Sequence, residues 1–398
     1  MKKFEKVAAT PQHPNWENMI SREVPLYIKD TDLRDVFERD YTRVIHSTAY
    51  RRLKHKTQVF FSPNNDHICT RIEHVMHVDS ISHTIANYLG LNTDLTRAIA
   101  VAHDLGHSPF GHAGEKILSS FSMRDIGVPF WHERNGLDFV DSIELLEDSE
   151  GCKRNLDLTY AVRDGIISHC GEIDENAIRP REDFIDLSLY TRPNQFAPYT
   201  WEGCVVKIAD KISYVCRDIE DAITVGILDS HLGELYDLLG VEASQNINNT
   251  NVINTLVYDL CMNSSPEDGL RFSDDAFSLL NKIKAFNYQH IYFSDRIQPS
   301  IRYFEVVLGE IYELLKSAYH PQNLMQNLDR LCHIYPKLCC SFKSFLENYY
   351  NCGNRGKLKN NVIFSFENEK DFYHCILYYI SGMTDNFAIE AYQEIIGF

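Results

Sequence analysis

A chain of 398 residues with 44% hydrophobic and 24% charged side chains has an ordinary globular composition, enough for one large core or two modest domains. It contains no apolar run of the roughly eighteen residues that a membrane helix needs. Its net charge of −17 excludes the broad basic footprint of general nucleic-acid binders, while a small anionic substrate stays open wherever cations gather locally.

The opening MKKFEKVAATPQHPNWEN has no apolar stretch behind its lysines, so no secretory signal is expected. Eleven cysteines without a C-x-x-C pair point to reduced thiols and a cytoplasmic setting. The stretch YRRLKHK (50–56) gathers Arg51, Arg52, Lys54 and Lys56, with Arg71 shortly after. It reads equally as a solvated helix face, as an anion contact or as an assembly contact.

In TRIEHVMHVDSISHTIANYLG, the residues Ile72, Val75, Met76, Val78, Ile81, Ile85 and Leu89 recur at three-to-four spacing before Gly90. That spacing predicts an amphipathic helix with a glycine stop. LNTDLTRAIAVAHDLG restarts with Thr93 as the expected N-cap and Asp94 in the first turn. Its small run Ala98 to Ala102 suits a helix buried on most sides, and Gly106 and Pro109 end it. Residues 172–200 carry three prolines and no period, which predicts a long ordered loop. A helix follows from about 203 to 226, then a polar asparagine-rich break at 241–251 and further helical stretches to the end. Strand alternation is absent, so an all-α architecture is expected. Residues 1–230 are expected to form one helical core with an N-terminal extension. Residues 231–398 are expected to be a helical region packed on that core.

If the first two helices form an antiparallel pair turning near residues 90 to 93, His74 lies about 26 Å before the turn and His103 about 17 Å after it. Both then fall near one end of the pair, offset by roughly 9 Å of axis. With Asp104 beside His103, that end offers two imidazoles and a carboxylate, suitable ligands for a divalent first-row metal. In GCVVKIADKISYVCRDIEDAITVG, Asp210, Tyr214, Arg217 and Asp221 make a polar stripe edged by Lys211 and Asp218. Asp210 is explained either as one more metal ligand or as a salt-bridged residue on a half-exposed helix. Periodicity leaves both open.

Arg71 to His74 (R-x-E-H), AHDLGHSPFGHAGE, HERNG and KIADKISYVCRDIEDA occur in this order, behind HSTAYRRLKHKTQVF and ahead of LNKIKAFNYQHIYF. Together they closely resemble the HD-domain dGTP triphosphohydrolase-like family over roughly residues 20 to 295, with an HD-domain helical core and additional C-terminal helices. The resemblance implies one divalent ion per active site (manganese, magnesium, iron, cobalt or zinc) held by His74, His103, Asp104 and Asp210. It implies His112 and Glu115 as a catalytic pair, with His107 and His132 beside them to shuttle or orient protons. Glu115 stands where some relatives have aspartate. Arg71 and Lys211 match phosphate-holding positions, Gln58 and Asp218 match positions that bond the 3′-hydroxyl, and Tyr214 and Tyr288 match aromatics packed on the deoxyribose. The implied reaction releases intact triphosphate from a deoxynucleoside triphosphate (dNTP). The alternatives are another HD phosphohydrolase, a nucleotidase or phosphodiesterase, or a catalytically silent dNTP sensor. Relatives form homo-oligomers, commonly hexamers or tetramers, and some require a nucleotide activator. No membrane partner is expected.

Overall fold

The structure, a computed structural model, describes residues 2–26, 31–61, 65, 67–170, 176–240, 249–351, 355–365 and 367–397. Among them are seventeen α-helices and one small sheet, Leu146–Glu147 paired antiparallel with Lys153–Arg154. The expected all-α class is what the chain adopts. It divides into two compact units interleaved along the sequence, the first 1–44, 62–103 and 158–299, the second 45–61, 104–157 and 300–398.

The first unit is built on helix Arg71–Leu89. Glu73 Oε2 accepts hydrogen bonds from Thr70 N at 2.8 Å and Thr70 Oγ1 at 2.9 Å, which tie down its first turn. Gly90 ends it at φ 91°, a left-handed conformation that a side chain would oppose. Val75, Val78, Ile85 and Leu89 are buried as the period predicted, but Met76 is 61% exposed and the buried His74 takes a place in the apolar stripe instead. The next helix, Thr93–Ala102, is capped one residue earlier than expected. Asn92, not Thr93, accepts from Asp94 N and Leu95 N, both at 3.0 Å. Asparagine's carbonyl reaches both amides from the residue outside the helix, while Thr93 is already helical.

Helix Trp201–Thr224 packs against both of these helices and against Tyr160–Ser168, Asn249–Asn263 and Asp274–Asn287. It is buried on nearly every side, including Lys211, Asp218 and Asp221, so the picture of a half-exposed helix gives way to one that carries its polar groups inward. Glu202 holds the N-terminal segment by accepting from Ala9 N and Asn92 N, each at 2.9 Å. The expected loop at 172–200 is described from residue 176, with one short turn at Leu187–Leu189. Arg181 Nη2 ties it to Asp164 at 2.5 Å. Residues 172–175 and the 241–248 part of the polar break lie outside the described residues.

In the second unit, helices Gly111–Asp125 and His132–Asp138 follow the loop that begins at Asp104. The C-terminal helices secure that loop. Asp385, at the start of Asp385–Ile396, accepts from Phe110 N at 2.9 Å and from Thr57 N at 2.8 Å. Lys56 is buried and donates to Ser381 O at 2.7 Å and to His107 O. One cation of the 50–56 stretch is therefore internal. Arg52 pairs with Glu144 at 2.6 Å, and only Arg51 and Lys54 of the four are exposed. Phe110 itself has φ 62°, strained for a residue with a Cβ, and is held by its bond to Asp385 and by a stacked contact with Phe304 at 4.2 Å.

Candidate active site

Two groups of titratable side chains occupy the two units. In the first unit, His74 on helix Arg71–Leu89, His103 at the end of Thr93–Ala102 and Asp210 on Trp201–Thr224 each bring one ligand atom to within 4.8 Å of the others. His74 Nε2 lies 3.0 Å from Asp210 Oδ1, and His103 Nε2 lies 3.9 Å from the same oxygen. The imidazole centroids are 5.6 Å apart, so packing of the pair closes the axial offset that two straight, parallel cylinders would leave.

The hydrogen bonds of His103 decide whether a cation fits. Its Nδ1 lies 2.6 Å from Ala100 O, and a carbonyl only accepts, so the proton sits on Nδ1. In the neutral ring Nε2 then presents a lone pair toward the Asp210 carboxylate. Two acceptors facing each other are stable when a cation lies between them, and a backbone-bonded Nδ1–H is the usual support of a metal-binding imidazole. Burial pushes the Asp210 carboxyl up, but His74, then His103 and His169, outweigh it and hold it below its usual range. The donor set fits a divalent ion. The chain passes directly from His103 to Asp104 at the boundary between the units. Asp104 Oδ1 lies 3.0 Å from His107 Nε2.

His169 was not singled out from the sequence. It repeats the local design of His103, following the apolar helix Tyr160–Ser168 with its Nδ1 2.6 Å from Ile166 O, three residues back. Its ring centre is 4.9 Å from that of His103. The shared signal is a histidine placed directly after a buried helix.

The second unit assembles His107, His112, Glu115 and His132. Glu115 Oε1 accepts from His132 N at 2.9 Å and lies 3.1 Å from His132 Nδ1, while Oε2 lies 3.2 Å from His112 Nδ1. The His107 and His132 rings stack at 3.8 Å. Burial raises the Glu115 carboxyl, but His132 and His112 more than reverse this and hold it well below the usual range. His112 is exposed, whereas His107 and His132 are buried. One ionised carboxylate thus orients two imidazoles, a suitable arrangement for moving a proton to or from a bound molecule. Gly106 lets this loop close. A Cβ there would sit 2.1 Å from His132 O and 2.2 Å from Gly136 N.

Of the other expected residues, Arg71 and Lys211 are buried cations on the helices that carry His74 and Asp210. Asp218 is buried, which pushes its carboxyl up to about 7, and it accepts a hydrogen bond from Tyr292 Oη. Tyr292 in turn packs edge-on against Tyr288 at 5.1 Å. Tyr214 is half-buried, one turn before Asp218. The link through Tyr292 escaped the sequence reading, although the tyrosine stands four residues beyond Tyr288. Gln58 belongs to the second unit, with its Oε1 buried.

An HD domain model matches residues 71–215, which contain both groups of histidines. Curated proteins named deoxyguanosinetriphosphate triphosphohydrolase-like protein are similar over most of their length. The one from Desulfatibacillum aliphaticivorans is 33% identical, covering 91% of this chain and 88% of its own. That from Caldanaerobacter subterraneus subsp. tengcongensis is 32% identical, covering 92% and 86%. That from Rickettsia bellii is 31% identical, covering 94% of each.

Proposed function

This chain belongs to the HD-domain, deoxyguanosinetriphosphate triphosphohydrolase-like family, and from that premise we propose that it hydrolyses deoxynucleoside triphosphates at the α-phosphate. The observation that carries this reading is the convergence of His74, His103 and Asp210, whose ligand atoms lie within 4.8 Å of one another. These three, with Asp104 next in the chain, would hold one divalent ion. When bound, the ion acts as a Lewis acid toward the phosphoryl group.

The reaction adds water to the α-phosphorus and breaks that atom's bond to the 5′-oxygen, releasing deoxynucleoside and inorganic triphosphate. The departing 5′-oxygen needs a proton. His112, oriented through Nδ1 by Glu115, donates it from its other ring nitrogen, with His132 and His107 behind it in the same cluster. Arg71 and Lys211 neutralise phosphate charge, Asp218 and Gln58 bond the 3′-hydroxyl, and Tyr214 and Tyr288 pack on the sugar so that a 2′-hydroxyl is excluded. The protein is expected to work as a homo-oligomer, and a nucleotide activator is tested by adding each dNTP to an assay of another.

The test is a panel of dNTPs and ribonucleotides with manganese, magnesium, iron, cobalt or zinc, the products resolved by anion-exchange chromatography. Deoxynucleoside with triphosphate is expected. Pyrophosphate or a monophosphate would transfer the same site to a nucleotidase or phosphodiesterase, and nucleotides that bind but persist would make the protein a sensor.

A further inference from the structure

Away from these groups, the first unit carries a second cluster of nitrogen and oxygen ligands. His231 directly precedes helix Leu232–Leu239, Glu234 lies in its first turn, and His290 belongs to the π-helical turn Tyr288–Tyr292. One ligand atom from each lies within 4.8 Å of the other two. His290 Nε2 is 3.2 Å from Glu234 Oε2, and the two imidazoles overlap with centroids 4.0 Å apart and planes tilted by 35°.

Three features set this cluster apart from an ordinary histidine–glutamate pair. The His290 side chain is only 8% exposed, yet its Nε2 is buried with no hydrogen-bond partner among the described residues. The nearby Glu234 oxygen is close enough to bond but lies off the direction a ring nitrogen would need. A buried ring nitrogen left in that state is unfavourable unless a further atom completes it. His231 and Glu234 are three residues apart at the start of one helix, so their side chains leave on the same side. His290 meets them from a separate element, held in a π-helical turn, a distortion that frequently marks functional positions.

We propose that His231, Glu234 and His290 form a second divalent transition-metal site, separate from the His74–His103–Asp210 group. Two imidazoles, one carboxylate and an open fourth position are the donor set of a tetrahedral zinc site, and cobalt or nickel suit the same ligands. Ligand atoms of a tetrahedral zinc lie about 3.3 Å apart, which the 3.2 Å His290–Glu234 pair already matches, and His231 brings its ligand atom to within 4.8 Å of both. The ion would fasten the helix at 232–239 to the turn that carries Tyr288 and Tyr292, and so stiffen the support of Asp218. The site itself does not depend on the reaction proposed above.

The experiment counts zinc on the full-length protein. Wild type, His231→Ala/Glu234→Gln, Asp210→Ala and the triple variant are stripped with chelator, equilibrated with zinc chloride, freed of unbound ion and measured by mass spectrometry. The double variant is expected to hold one zinc fewer per chain than wild type. The triple variant is expected to hold one fewer than Asp210→Ala. The zinc-dependent rise of the melting temperature should shrink in the double variant. Both replaced side chains reach solvent, and matching melting curves in chelator establish that the variant is folded. Equal zinc content in wild type and the double variant would overturn the proposal.

Discussion

Removing the Tyr292 hydroxyl breaks a hydrogen bond to Asp218 whose worth depends on pH. Asp218 is 2% exposed, and burial lifts its carboxyl to about 7, even with Tyr292 donating to it. In the unfolded chain an aspartate titrates near 3.9. An acid whose pKa is raised by folding contributes stability below its unfolded value, and that contribution is lost as pH rises through the folded value. For a shift of about 3 units the loss approaches 4 kcal/mol between roughly pH 4 and pH 8. Tyr292 moderates it by bonding the ionised form. Tyr292→Phe should therefore cost about 1 kcal/mol at pH 5.5, where the carboxyl is neutral, and about 2–3 kcal/mol at pH 8, where a charged acceptor loses its donor. Urea unfolding of wild type and Tyr292→Phe at the two pH values measures both numbers. Equal costs at both, or the larger cost at pH 5.5, would refute the reasoning, since either means that Asp218 does not ionise against this hydroxyl.

Three further outcomes follow from the second unit. Gly106→Ala drives a Cβ into the backbone at His132 and Gly136 and should cost at least about 3 kcal/mol, read as a large fall in melting temperature or loss of soluble protein. Asp385→Ala leaves the amides of Phe110 and Thr57 without their acceptor, a loss of about 1–3 kcal/mol. It should lower kcat while the metal content stays unchanged, and a variant with full kcat would show that this anchor does not serve the loop. Glu115→Gln removes the charge shared by His132 and His112. A fall in kcat of about 100-fold or more is expected, again with metal retained, and near-normal turnover would remove the cluster from catalysis.

The sequence made some of this legible and hid the rest for physical reasons. The helices at 71–89 and 201–224 were readable because their apolar residues repeat with the helical period and because Gly90 stops the first. Helical spacing placed His74 and His103 near one end of a helix pair, but it left Asp210 open between a ligand and a salt-bridged residue, and only the family resemblance joined it to them. The cap at Asn92 was misread by one position because asparagine and threonine both serve there. Lys56 looked like one more surface cation, and only the fold shows it buried against carbonyls from residues 107 and 381. Asp385 and Tyr292 act on partners 275 and 74 residues away, a separation at which no local pattern exists to be read. His169 carried the same local signature as His103 but lacked an aspartate after it.

The central claim is that water attacks the α-phosphorus of a dNTP. Hydrolysis of dGTP in water enriched in oxygen-18, with both products weighed by mass spectrometry, tests it most directly. One labelled oxygen should appear in the triphosphate and none in the deoxyguanosine. Label in the nucleoside, or release of pyrophosphate in place of triphosphate, would contradict the account.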